Sequence, residues 1–234
     1  MAEDAVRAAR EADRGETGRL AIGFVTSSLY GVFPDIVLGF RSKYPKVHLE
    51  LQEMPVSQQG DMLRSGRIDV GILRPPLDDQ GLEVRTFLQE PWVVAMPSTH
   101  PAARDRVVPL QSLAREAFVS FPRTLAPNIY DGILAACQEA GFSPRIVLEA
   151  QMQAIVSLVA AGMGVALVPE SMQNLRRRGV VYRPLKEPAP RVALAVAWSE
   201  GDIGPVLRSF LGVVEEVSGG WGRNKTGGIS NGTP

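Results

Sequence analysis

The sequence predicts an α/β fold built from two similar halves. Strand patterns and amphipathic helix patterns alternate along its 234 residues, an order typical of a parallel or mixed sheet flanked by helices. One longer pattern occurs twice, at residues 65–75 and 161–169: a small residue and a glycine end a helix, a short apolar strand follows, and a proline ends the strand. This repeat indicates two α/β halves, each near the lower end of stable domain size.

The first strand and helix carry the most information about function. Apolar residues predict a buried strand at 20–25, and apolar spacings of three and four predict a helix over 29–40. The turn between them holds the hydroxyl side chains of Thr26, Ser27 and Ser28. Hydroxyls and free backbone N–H groups at the positive end of a helix can bind an anion such as a carboxylate. The alternative is that these residues are ordinary helix N-caps that bind no ligand.

Glycine and proline divide the rest of the chain into elements. Pro34 disfavours regular helix at Phe33, so we expect regular helical hydrogen bonding to begin there and to leave the amides of residues 26–29 free. Gly66 and Gly162 are expected to cap the ends of two helices. Strand patterns then occupy residues 47–53, 68–73, 82–87, 90–97, 117–121, 145–149, 165–168, 180–185 and 192–198, and helix patterns occupy 57–65, 110–115, 129–140, 153–161, 170–178 and 205–217.

Both ends of the chain are polar. Residues 3–14 predict a helix with too few apolar positions to anchor itself to a core, as expected for the end of a longer element. Residues 219–234 are rich in glycine and polar side chains, which predicts disorder. The amino terminus lacks the basic and then apolar layout of a secretory signal, and no apolar run reaches the ~18 residues of a membrane span. We therefore expect no contact with a membrane.

Charge and cysteine content narrow the possible functions. Lys and Arg total 25 and Asp and Glu total 25, so the formal net charge is zero. The arginines at 176–178 are the one basic cluster, and they fit the last turn of a helix before Gly179. These residues are therefore poor candidates for direct DNA binding. The single cysteine, Cys137, cannot form an intramolecular disulfide, which favours a reducing, cytoplasmic compartment.

The sequence holds no motif for catalysis, metal binding or nucleotide binding. The Gly-Met-Gly at 162–164 follows a helix and precedes a strand, the reverse of the order in dinucleotide-binding folds. His48 and His100 are isolated from other metal-ligating residues. The serine cluster lacks the Gly-x-Ser-x-Gly pattern of hydrolases, and Cys137 lies in a helical pattern typical of a core position. We expect no cofactor, no metal and no enzymatic activity.

An ordered set of segments carries a resemblance to a known family. The set comprises 19–23 (RLAIG) with its hydroxyl turn, Phe33-Pro34, 40–45 (FRSKYP), 47–51 (VHLEL), 63–72 (LRSGRIDVGI), 90–101 (EPWVVAMPSTHP) and 158–169 (LVAAGMGVALVP). Each segment is moderately specific, and the ordered set is highly specific. Together they strongly resemble the effector-binding domain of LysR-type transcriptional regulators, over residues 19–217.

The resemblance implies two subdomains of periplasmic-binding-protein type, joined by two crossing strands, with the effector in the cleft between them. Residues 92–96 and 192–198 would be the crossing strands. Subdomain I would comprise residues 19–92 plus 193–218, and subdomain II residues 93–192, with 1–18 as the remnant of a linker helix and 219–234 as a disordered tail. The winged helix-turn-helix of the family is absent from the sequence, so promoter DNA would be bound through that missing domain. Effector domains of the family form antiparallel dimers, and four chains form the working regulator.

Three short segments are most similar to the branch that regulates degradation of aromatic compounds and responds to muconate or benzoate. They are 26–31, 71–74 and 126–128. The resemblance implies that Thr26, Ser27 and Ser28 hold an effector carboxylate, helped by Arg74, whose guanidinium can grip a carboxylate bidentately. The alternative for Arg74 is a solvated loop position.

The opposite subdomain is expected to complete the site. Pro127, Asn128 and Ile129 would begin a helix that faces the cleft, and Gln151 lies at the end of a strand, where α/β folds bind ligands. One departure concerns the subdomain I loop position that often holds a threonine in that branch. Here it is Val56, with Ser57 adjacent, which bears on the identity of the effector.

The leading hypothesis is a sensor domain that binds a small carboxylate, aromatic or a ring-cleavage diacid, and controls transcription. A solute-binding protein of a transporter would share the fold, and a signal peptide upstream in the gene would distinguish it from a regulator, which has a helix-turn-helix there. A third hypothesis is an enzyme that uses serine or cysteine, against which the missing partner base argues.

Overall fold

The computed structural model describes residues 10–125, 127–186 and 188–224. Within these ranges the strands are β1 (Thr17–Phe24), β2 (Lys46–Glu53), β3 (Val70–Leu73), β4 (Leu82–Pro97), β5 (Ala117–Ser120), β6 (Arg145–Glu149), β7 (Ala166–Pro169), β8 (Val180–Pro184) and β9 (Arg191–Ser199). The α-helices are α1 (Phe33–Lys43), α2 (Val56–Arg64), α3 (Pro127–Glu139), α4 (Met152–Ala160) and α5 (Pro205–Asn224), and the 3₁₀ helices are Thr26–Tyr30, Pro101–Arg104, Leu110–Leu113 and Glu170–Asn174.

The larger sheet is mixed and extends through the molecule. In the described residues its strand order is β2-β1-β3-β9-β4-β7, with β8 also paired to β4. The pairs of β1 with β2 and β3 are parallel, whereas β3, β9, β4, β7 and β8 pair antiparallel. Strands β5 and β6 form a second, parallel pair.

Subdomain I is built around β1, β2 and β3. Successive residues of β1 point to opposite faces of the sheet, so Leu20 and Ile22 pack against α1 and α5 while Ala21 faces the cluster that contains Leu63 of α2. Phe40 of α1 and Phe210 of α5 meet edge to face at 5.4 Å. Both faces of these strands are therefore covered, as expected for a parallel sheet.

Subdomain II has its own core, formed by the second half of β4 together with β5, β7, α3 and α4. Phe118, Ile133 and Ile155 are among its buried members. Subdomain I thus has an apolar cluster on each face of its sheet and subdomain II has a separate one, which confirms the predicted fold of two α/β halves. The predicted boundaries at residues 92 and 93 and at 192 and 193 stay a prediction.

Two long strands carry the chain between the subdomains. Residues 82–91 of β4 pair with β9, and residues 92–97 of β4 pair with β7 and β8. The sequence pattern predicts separate strands at 82–87 and 90–97, but in the structure these residues form one strand, with a shift of register between Thr86 and Leu88. The irregularity falls in the stretch where the sequence pattern weakens.

Some predicted helices are shorter or longer in the structure. Helix α1 begins at Phe33, as expected from Pro34. Thr26–Tyr30 is a 3₁₀ helix, and the Ser28 N–H donates to the carbonyl of Val25 at 3.0 Å, so the expectation that the amides of residues 26–29 are free is wrong for Ser28. The helices predicted at 110–115 and 170–178 are 3₁₀ turns of four and five residues. Helix α5 continues past Val217 to Asn224, so the first residues of the tail predicted as disordered are helical. Residues 225–234 and the start of the predicted linker helix, 1–9, lie outside the described residues.

Candidate functional site

A cleft of about 650 Å³ lies between the two subdomains. On the subdomain I side it is lined by the residues that follow β1, β2 and β3 and by one face of α2. On the subdomain II side the lining comes from the ends of β5 and β7 and from the starts of α3 and α4. Ends of strands in α/β folds are where ligands bind, and the volume lies within the range of small-molecule sites.

Most of the predicted ligand residues are brought together here. The cleft is lined by Thr26, Ser27, Val56, Ser57, Arg74, Pro127, Ile129 and Gln151. Ser28 is not part of this lining: its side chain is fully buried, and its Oγ donates a hydrogen bond to the carbonyl of Val25 at 2.7 Å. Asn128 lies in the first turn of α3, but its side chain is outside the described part of the structure.

The hydroxyl of Ser27 is oriented by Arg74. The Arg74 Nε donates to Ser27 Oγ at 2.9 Å, and both side chains are buried. A serine hydroxyl that accepts in this way retains its own proton to donate, so Ser27 can donate to a ligand in the cleft. Among the described hydrogen bonds, none is donated by the backbone N–H of Thr26 or Ser27. These groups begin a 3₁₀ helix and have no carbonyl partner within it.

Thr26 is arranged differently from the expectation. Its Oγ1 donates to Oε1 of Glu53, which lies across from Phe24 at the end of β2. The proton of this hydroxyl is therefore directed to a carboxylate of the protein. With its hydroxyl proton directed to Glu53, the donor that Thr26 can offer to a ligand is its backbone N–H.

Arg74 is neither a solvated loop residue nor a fully available cation. It is only 4% exposed, and its Nη2 donates to Glu90 Oε1 at 2.7 Å. Its Nη1 is 3.4 Å from the carbonyl oxygen of Ala193. Glu90 is 5% exposed, and its Oε2 accepts from the backbone N–H of Ser171 at 2.7 Å. The carboxylate neutralises the guanidinium inside the protein, so Arg74 contributes chiefly by orienting Ser27.

This buried pair also links the subdomains. Arg74 follows β3 of subdomain I, Glu90 lies on the connecting strand β4, and Ser171 follows β7 of subdomain II. A second bond makes a parallel connection, since Nδ2 of Asn174 donates to the carbonyl of Tyr30 at 2.7 Å. The 3₁₀ helix Glu170–Asn174 is thus held by contacts across the subdomain interface.

The subdomain II wall of the cleft is largely apolar. Its described lining consists of Phe121, Leu125, Pro127, Ile129, Gln151, Met152 and Pro169. Gln151 is the N-cap residue of α4, but its side chain makes no capping hydrogen bond. The amide of Gln151 can therefore serve a ligand whose body packs against the neighbouring apolar side chains.

Several cleft residues were not predicted. Glu53 ends β2, Met54 follows it and Phe121 follows β5, positions that the rule for carboxyl ends of parallel strands identifies. Asp61 and Arg64 of α2 and Asp78 of the next loop also line the cleft. Their contribution depends on how α2 lies across the sheet, which no local sequence pattern indicates.

The described residues outside the cleft give no support to metal binding or membrane insertion. In the part of the chain that the structure describes, no cluster of three or more His, Cys, Asp or Glu side chains could hold a metal ion. No helix in the same ranges combines the length and apolar character needed to cross a membrane. His100 caps the 3₁₀ helix Pro101–Arg104, since its Nδ1 accepts from the N–H of Ala102 at 3.1 Å.

Cys137 is buried on α3, and burial raises the pKa of its thiol to about 11. Because the thiolate is the reactive form, we expect iodoacetamide at about pH 8 to label Cys137 in the unfolded chain but not in the folded one, as measured by mass spectrometry. The folded-state pKa lies above the ordinary value of 9.0. Burial of the neutral thiol therefore stabilises the fold below that pH, and the contribution is lost as the pH rises toward 11. Rapid labelling of the folded protein would contradict the burial.

The family model for the LysR substrate binding domain matches residues 13–219. This chain belongs to the LysR-type transcriptional regulators. The resemblance noted in the sequence is thereby confirmed, and the regulator hypothesis is favoured over the transporter alternative. The cleft between the subdomains is therefore the candidate effector site of this family member.

Individual LysR-type relatives are similar over most of the chain. The regulator AlsR of Bacillus subtilis is 34% identical over 207 residues, 88% of this chain and 68% of that protein. The regulator CatR of Pseudomonas putida is 32% identical over 208 residues, 88% of this chain and 71% of that protein.

A solved LysR-type structure shares the fold. The effector-binding domain of BenM, a regulator of Acinetobacter baylyi, was solved with its effector benzoate. It aligns with a TM-score of 0.81 and 28% identity over 88% of this chain and 94% of that chain. This likeness confirms the predicted two-subdomain fold.

Proposed function

We propose that this chain is the effector-sensing domain of its regulator and that it binds a small carboxylate in the cleft between the subdomains. The observation that carries the proposal is the hydroxyl of Ser27, which is held by Arg74 at 2.9 Å and has its own proton available inside the cleft. The solved BenM domain, whose effector is benzoate, supports a carboxylate ligand. We propose no catalytic role, because Ser27 has no histidine partner among its described hydrogen bonds.

The carboxylate would accept hydrogen bonds from the Ser27 hydroxyl and from the N–H groups of Thr26 and Ser27. Charge-assisted bonds of this kind are stronger than neutral ones. The body of the effector would pack against Phe121, Leu125 and Ile129 of subdomain II. Gln151 would hydrogen-bond a polar substituent.

A ligand held by both subdomains can change their relative orientation only if it binds one arrangement more tightly than another. The contacts of Arg74, Glu90 and Ser171 connect Ser27 to the interface between the subdomains. We infer that occupation of the cleft changes transcription through this connection.

The rest of the assignment follows the family. We propose subdomain boundaries at 19–92 plus 193–218 and at 93–192, a dimer of effector domains within a tetrameric regulator, and a cytoplasmic location. Promoter DNA would be contacted by a winged helix-turn-helix outside these residues. Light scattering of the purified chain tests whether the effector domains form the proposed dimer.

Replacement of Ser27 by alanine is expected to weaken carboxylate binding by about tenfold to a hundredfold, because a hydrogen bond to a charged group is lost. Isothermal titration calorimetry with benzoate and muconate measures the effect. Ser28→Ala is the matched control, since the Ser28 hydroxyl bonds to Val25 and does not line the cleft. Equal affinities of the two variants would show that the site is wrongly placed.

A further inference from the structure

We propose that the cleft accepts an effector with one negative charge and discriminates against dianions. This inference rests on the proposed function and narrows it, because a ring-cleavage diacid and an aromatic monoacid are both compatible with that function. It derives from the balance of charges and of hydrogen-bond donors along the cleft.

Carboxylates outnumber cations in the cleft. Among the lining residues that the structure describes, the charged side chains are those of Glu53, Asp61, Arg64, Arg74 and Asp78. The carboxylate of Glu90 lies directly behind Arg74, at 2.7 Å from its Nη2. An anion that enters this cleft therefore meets an excess of negative charge and depends on neutral donors.

Both cations already have carboxylate partners. Arg74 is neutralised by Glu90 in a pair whose two side chains are only 4% and 5% exposed. Arg64 lies 3.0 Å from Asp61 Oδ1 and 3.9 Å from Asp78 Oδ2, and its Nη1 also bonds to the carbonyls of Asp78 and Gln80. Neither guanidinium is an unpaired cation, so a second acid group would have to share it with a carboxylate that already neutralises it.

The donors that the cleft offers to a carboxylate without disturbing an ion pair are neutral groups. The Ser27 hydroxyl and the adjacent backbone N–H groups can hold the first acid group. Beside this point the Thr26 hydroxyl donates to Glu53, and α2 contributes the apolar Val56 and the neutral hydroxyl of Ser57. The opposite wall is apolar except for Gln151, with no charged side chain in its described lining. A second carboxylate would thus add a negative charge near Glu53 without an unpaired cation to compensate it.

A monoanion with an uncharged body fits this arrangement. Its acid group would lie at Ser27, and its apolar part would cover Phe121, Leu125 and Met152 on the subdomain II wall. The cleft of about 650 Å³ has room for a ring or a branched chain.

Matched pairs of acids test the proposal by calorimetry. Benzoate and terephthalate share a ring, and hexanoate and adipate share a chain length. We expect the monoacid of each pair to bind at least about tenfold more tightly, the effect of a like charge roughly 10 Å away at an effective dielectric constant of about 20. The variant Glu53→Gln should reduce this preference severalfold. Glu50→Gln, which removes the same charge from the same strand at a position outside the cleft, should leave it unchanged.

Each contrary result has a distinct meaning. If diacids bind as tightly as monoacids and Ser27→Ala weakens both, the charge inference is wrong and the proposed carboxylate function remains. If Arg64→Gln selectively weakens diacids, Arg64 supplies the second cation and the inference is likewise overturned. If none of the four acids binds, the carboxylate function fails and the inference fails with it.

Discussion

Replacement of Arg74 by methionine is expected to lower the free energy of unfolding by about 3–5 kcal/mol, because it leaves the carboxylate of Glu90 buried without its counterion. The Glu90 side chain is 5% exposed and would retain one described donor, the N–H of Ser171. The same change removes the group that orients Ser27, so carboxylate binding should also be lost. Urea unfolding and calorimetry measure the two effects separately.

The double variant Arg74→Met with Glu90→Gln separates stability from binding. The glutamine keeps an oxygen that can accept from Ser171 but removes the buried charge, so most of the lost stability should return. Binding should stay weak, since Ser27 still lacks its partner. A double-mutant cycle then gives the coupling between the two side chains. A single Arg74→Met variant as stable as the parent would mean that Glu90 is compensated in some other way.

Replacement of Gly164 by alanine is expected to destabilise the protein by about 3–5 kcal/mol, since backbone strain and overpacking would both contribute. Its φ is +149°, and a Cβ built there would lie 2.3 Å from the carbonyl oxygen of Ala117. The chain at this point lies close against β5, because the Val165 N–H donates to the carbonyl of Ala117 at 2.8 Å. Denaturant unfolding monitored by tryptophan fluorescence measures the loss.

Gly162→Ala is the matched control for this prediction. Gly162 also has a positive φ, +80°, but a Cβ there meets no atom within 4 Å. We therefore expect a cost of about 1–2 kcal/mol from the left-handed conformation alone. Equal losses at the two glycines would show that the close approach to Ala117 does not matter.

Gly162 and Gly164 show what a local sequence pattern can predict and what it cannot. The sequence places both in the short connection between a helix and a strand, and the role of Gly162 as a cap is confirmed by the end of α4 at Ala160. The reason for Gly164 lies 47 residues away in the carbonyl of Ala117. Contacts over such distances leave no periodic signal along the chain.

The candidate site likewise contains residues that the sequence predicts and residues that only the fold brings together. Of the ten residues predicted from the strand-end rule and the family resemblance, eight line the cleft, from Thr26 to Gln151. That these residues bind an effector stays a prediction. The residues that were missed, among them Glu53 and Arg64, lie on ordinary polar positions of a strand and a helix. Their importance arises only because β2 and α2 converge at one end of the sheet.

The sequence alone determined the family, the order of strands and helices and the presence of two α/β halves. Apolar periodicity, and the glycines and prolines that end strands and helices, are local properties of the chain. Only the tertiary structure showed which groups Arg74 contacts and that its charge is paired. Its partners Ser27, Glu90 and Ala193 lie 47, 16 and 119 residues away in the chain. Since a hydrogen bond depends on atoms within about 3 Å, the fold had to be known before a presumed carboxylate-gripping arginine could be recognised as a neutralised side chain that orients a serine.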